Sequence, residues 1–63
     1  MAPPIWIAAS EGHLETVRTL HELGANVEAT DEDGTTPLSI ASKNGHEEVV
    51  KLLQGLMEKV LAH

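Results

Sequence analysis

Cysteine is absent from this 63-residue sequence, which excludes disulfides, thiol nucleophiles and thiolate zinc sites together. Phenylalanine and tyrosine are missing too, and Trp6 is the single aromatic residue. A core therefore has to be assembled from Leu, Ile, Val and Ala, which suits layered helices better than a large enclosed pocket. Positive charge is scarce: 4 basic residues stand against 10 acidic ones, a net charge of −6. That balance lacks the electrostatic footprint of a phosphate-backbone binder, so nucleic acid and anionic membranes are excluded as expected partners. No apolar run approaches the ~18 residues of a membrane span, and no basic stretch precedes an apolar one near residue 1. The default expectation is an intracellular address. What is present, 41% hydrophobic and 22% charged residues, is globular composition, and the length suits one domain, residues 1–63.

Sliding the chain against itself reveals one dominant offset, 33 residues: of the 27 pairs formed when residues 4–30 lie over 37–63, eleven are identical. Among them are Pro4/Pro37, Ile7/Ile40, Ala8/Ala41, Gly12/Gly45, His13/His46, Val17/Val50 and Leu20/Leu53. The chain thus holds nearly two copies of one unit, the first over about 3–35 and the second over about 36–63. Thr36 before Pro37 reads as a helix start, a capping hydroxyl followed by a residue whose fixed φ suits the first turn. A short helix is predicted to about Lys43, with Gly45, like Gly12, ending its helix. Leu14, Val17, Leu20 and Leu23 form the apolar stripe of a second helix, with Glu15 near its start, where the dipole favours a carboxylate. One unit is then two antiparallel helices and a tight turn. Residues 24–36 break the periodicity, and Asp33-Gly34 marks a turn in a protruding loop.

These residues bear a close resemblance to ankyrin repeats. Asp31-x-x-Gly34-x-Thr36-Pro37-Leu38, then Ala41 and Gly45-His46, then Val49-Val50-x-Leu52-Leu53 follow that family's pattern in order, with Gly24-Ala25-Asn26-Val27 as the junction. The resemblance implies an all-α stack of helix-turn-helix units, an α-solenoid with β-turn loops at one edge and a concave surface that binds other proteins. It places partner contacts at Glu32, Asp33 and Thr35 on the loop, at Ile40, Lys43 and Asn44 on the second unit's first helix, and at Ile7, Ser10 and Glu11 on the first unit's. Leu23 joins the same surface. Ile7 and Ile40 are expected to form an exposed apolar pair, and Trp6 beside them is either a binding anchor or a satellite core residue. The sequence departs from the family where a histidine that ties neighbouring repeats is expected: those positions hold Trp6 and Ser39. Pro3 stands where the first unit would have its capping Thr.

Two units are fewer than the three a stacked-repeat core usually needs, so a missing neighbour is expected. In the final helix, predicted over about 47–62, the apolar positions cover roughly a 180° arc, wider than a surface helix requires. Three explanations follow: the helix folds that surface inward as a cap, the chain is cut from a longer array, or copies associate into a dimer or trimer. The last is preferred, with Val49, Leu52, Leu56, Met57, Val60 and Leu61 as the self-association face. His13 and His46 read as turn residues. His21 and His63 depart from the repeat, and a metal held by them between copies is the minor reading, because no histidine pair has the i, i+4 spacing of a helical zinc site. No cofactor is implied. Ser10, Ser39 and Ser42 lack a nucleophile context, so the expectation is a protein-binding module without catalytic activity.

Overall fold

The computed structural model describes the backbone of residues 1–61 and the side chains of residues 1–58. Four helices occur among them: α1 (Pro4–Ser10), α2 (Leu14–Glu22), α3 (Pro37–Lys43) and α4 (Glu47–Leu61), with no strand among the described residues. Packing joins α1 to α2 and α3 to α4 as antiparallel pairs, while α1 lies against α3 and α2 against α4, so the two units stack side by side. His63, the distal metal candidate, lies outside the described residues, as do the side chains of Val60 and Leu61.

The local signals act as the sequence predicts. Thr36 caps α3, its Oγ1 accepting from the Ser39 N–H at 3.1 Å. Pro3 stands before α1 with no side-chain cap bond. The loop turn is organised by Asp31, whose Oδ1 accepts from the N–H of Asp33 at 3.0 Å and of Thr35 at 2.8 Å. Its N–H donates to the Thr35 carbonyl at 3.1 Å, and Gly34 takes φ +82 to close the turn.

The core is a single cluster of Ile5, Ala8, Ala9, Val17, Val27, Ala41, Val49, Leu53 and Leu56. Alanines at 8, 9 and 41 let α1 and α3 approach closely, and Ile5, Val17, Val49 and Leu53 fill the space between the pairs. Three expectations are corrected. Leu23 is not part of the α2 stripe: it is the C-cap residue and 78% exposed. Ile40 is half-buried against the core rather than exposed like Ile7. In the proposed self-association face, Val49 and Leu56 are buried, and Leu52 and Met57 pack partly against the core. The side chains described on α4 thus turn that excess apolar arc inward.

Candidate functional site

The sequence-predicted contact residues divide into those that hold the fold and those left free. Trp6 belongs to the first group. Its ring is half-buried and its Nε1–H donates to the Thr35 carbonyl at 3.0 Å, tying α1 to the loop ahead of α3 across 29 residues of sequence. Trp6, at the position of that departure, thereby holds α1 to the loop that leads into α3, through the backbone carbonyl of Thr35. Ser39 instead works locally, its Oγ accepting from Thr36 Oγ1 at 3.0 Å.

A second tie joins the other ends of α1 and α3. The Ser10 carbonyl accepts from Asn44 Nδ2 at 2.8 Å and lies 3.1 Å from His46 Nε2. Ser10 Oγ donates to the Ile7 carbonyl at 2.8 Å, so both of its oxygens are spent inside the molecule. Beneath this tie the His46 ring lies against Gly12: a Cβ built there would stand 2.6 Å from His46 Nδ1. Gly12 also adopts φ +75, so both the backbone conformation and the close approach require glycine. His46 therefore acts as a docking side chain between units, more than the turn residue expected from sequence.

Left free are Ile7 (42% exposed), Glu11, Leu23, Asp33 and Lys43, together with Glu32, which meets the Met1 amino group. Asp33 tops the turn, Glu11 and Lys43 flank helix ends, and Ile7 adds an aliphatic side chain one helical turn before Glu11.

Ile7 also lines a groove that the sequence did not disclose. It runs over the outer side of α1 and α2 between Pro4, Ile7, Ala8, His13, Thr16 and Leu20, with a volume of about 340 Å³. His13 and Glu11 form its polar rim, with Nε2 3.2 Å from Oε1. Sequence reasoning assigned Leu20 to the core and His13 to the turn. The signal that locates the groove is the 33-residue register itself, because each of these residues has a counterpart whose neighbour is present. A different groove opens over the outer side of α3 and α4, between Ser42, Gly45, His46, Glu47, Val50, Lys51 and Gln54. His21 is half-buried, and its Nδ1 has no hydrogen-bond partner among the described residues. No group of three potential ligands capable of holding a metal occurs among those residues.

Comparison with known proteins agrees with this geometry. The family model described as "Ankyrin repeats (many copies)" matches residues 5–54. The chain is 48% identical over 50 residues to mouse Rabankyrin-5, covering 79% of this chain and 4% of that protein. It is 42% identical over 60 residues to a glycerophosphocholine phosphodiesterase of Candida albicans, covering 95% of this chain and 5% of the relative. Similarity to rat cyclin-dependent kinase 4 inhibitor B is 36% over 50 residues, covering 79% of this chain and 38% of the inhibitor. The chain thus spans a small part of the length of each of these relatives. Repeat period, turn residues and stacked helix pairs agree with the matched family, and the chain belongs to the ankyrin-repeat family.

Proposed function

We propose that this chain is a non-enzymatic protein-binding module whose contact edge is formed by Ile7, Glu11, Asp33 and Lys43. Ankyrin repeats generally mediate protein–protein interaction. The supporting observation is the division of labour just described: these four side chains are exposed and take no part in the ties of α1 to the α3 segment, which the Trp6 and Asn44 side chains make to the backbone carbonyls of Thr35 and Ser10. Side chains on a loop tip and at helix ends, held by a scaffold they do not themselves support, are suited to recognition. A photo-crosslinking residue at Asp33 should give protein adducts of discrete mass in cell extract. The combined substitution Glu11→Lys and Lys43→Glu should remove them while circular dichroism stays unchanged. Adducts that survive the charge reversal would refute the edge assignment.

Association of copies with one another is a second form of this reading. With Val49 and Leu56 in the core, support for it comes from the α1–α2 groove and Ile7 rather than from α4. Solution mass over a concentration series tests it directly.

A further inference from the structure

Asn44 precedes Gly45 at the end of α3, and nowhere else in the chain is an asparagine followed by a residue without a side chain. The backbone nitrogen that follows an asparagine can attack the side-chain amide carbon, and a glycine leaves that approach open. Both residues are exposed, so water reaches them. Asn26, the other asparagine, is followed by Val27, whose branched and buried side chain crowds the same approach. Gln54 also precedes a glycine, but it would have to close a larger ring inside α4.

The fold holds this pair in an unreactive geometry. Asn44 has ψ 2, which turns the Gly45 nitrogen away from the Asn44 Cβ, whereas a five-membered ring needs the two on one side. The attacking group is engaged as well, the Gly45 N–H donating to the Ser42 carbonyl at 3.1 Å. The leaving group is engaged too: Nδ2 of Asn44 donates to the Ser10 carbonyl at 2.8 Å. All three restraints lie at the junction where His46 Nε2 approaches that carbonyl to 3.1 Å and its ring covers Gly12.

We propose that Asn44 is a deamidation site gated by its own tie to α1: the closed junction protects the amide, and each opening exposes it to irreversible conversion. In the open state the Gly45 nitrogen gives up its proton to hydroxide and bonds to Cγ of Asn44. The Cγ–Nδ2 bond breaks, and the amide nitrogen takes up a proton from water and leaves as ammonia. Water then opens the cyclic imide at one of its two carbonyls. Cleavage between Cγ and the Gly45 nitrogen gives aspartate. Cleavage at the main-chain carbonyl gives isoaspartate, in which the chain runs on through the former side chain. One water is consumed and one ammonia released, with no change of oxidation state.

The product cannot rebuild the tie. A carboxylate only accepts, so it meets the Ser10 carbonyl as one acceptor facing another. It also places negative charge at the C-terminal end of α3, where the helix dipole opposes it. Isoaspartate goes further, because the extra backbone carbon between α3 and His46 shifts the ring that lies against Gly12. Conversion therefore loosens the docking of the two helix pairs and adds a negative charge beside Lys43. This assignment is independent of the edge contacts proposed above.

The test is incubation of the chain in mildly alkaline buffer, with and without urea, followed by mass spectrometry of its proteolytic peptides. Amide-to-acid conversion should appear at Asn44 and not at Asn26 or Gln54, with isoaspartate among the products. It should run at least about tenfold faster in urea than in buffer. His46→Ala should speed it in buffer by about threefold or more and leave the rate in urea as it was. No conversion at Asn44 in urea overturns the site. Equal rates in buffer and urea, or a buffer rate indifferent to His46→Ala, overturn the gate. Asn44→Asp supplies the aspartate product directly, and its melting midpoint should fall by about 5 °C, further than that of Asn44→Ala. A midpoint at or above that of Asn44→Ala would show that the junction accepts the carboxylate and overturn the loosening.

Discussion

The two helix pairs have nearly the same apolar pattern and unequal surroundings. Leu53 is fully buried, and Leu20 at the equivalent position is half-buried. Leu56 lies in the core, and Leu23 at its equivalent is 78% exposed. The first difference arises because the second pair has a neighbour on the side where the first has none. The second arises within the chain: Gly24 takes φ +97 and ends α2, whereas Met57 at the matching position lets α4 run on to Leu61. Identical residues thus contribute differently according to what stands beside them, as expected of a quasi-one-dimensional stack.

Matched substitutions sharpen this comparison. The largest gap is expected between Leu53→Ala and Leu20→Ala. The first removes a fully buried side chain at about 3–5 kcal/mol, the second about 1–2. A chain of this length has roughly 3–9 kcal/mol in total. Urea titration should find the midpoint of Leu53→Ala lowered by at least about twice as much as that of Leu20→Ala. Equal midpoints would mean that burial does not separate the two units.

Glycine substitutions come next. Gly12→Ala meets both a positive φ and the His46 ring, whereas Gly45→Ala, at φ +80, meets open space. The expected cost is about 1–2 kcal/mol at Gly45 and clearly more at Gly12. Adding His46→Ala should remove the excess at Gly12 and leave the Gly45 variant no better, a pattern readable by double-mutant analysis of thermal melts.

Trp6→Phe keeps most of the ring and deletes the donor to Thr35, at about 1 kcal/mol. Amide exchange at Asp31 and Thr35 should quicken more than in α4. Unchanged exchange would remove Trp6 as the tie between α1 and the loop.

The smallest contrast lies at the caps. Thr36→Ala should cost about 1 kcal/mol, and Pro3→Thr should add about 0.5 kcal/mol or more by giving α1 the cap that α3 already has. If the two changes leave the melting midpoint where it was, capping does not distinguish the units.

Much of the architecture was legible from repetition. The 33-residue offset, Thr36-Pro37, Gly12, Gly45 and Asp33-Gly34 marked the helix pairs and the turn because each acts on its own few neighbours. The site was less legible. Ile7 and Ile40 are the same residue in the same register, yet one is exposed and the other packs partly against the core. Ser10 and Asn44 look like free polar residues, but they meet across 34 positions in a hydrogen bond. Nothing local in either residue carries that information.

Sequence alone determined the repeat unit, its helices, its turn chemistry and its net charge of −6. Those properties are set by backbone conformation, periodicity and charge, which depend on near neighbours or on composition. The tertiary structure decided that Trp6 serves as a tie, that His46 docks on Gly12 while His13 stands unseated, and that Val49 and Leu56 of α4 lie in the core. Each of those outcomes depends on which surface lies opposite a side chain, and burial is a property of the pair of surfaces.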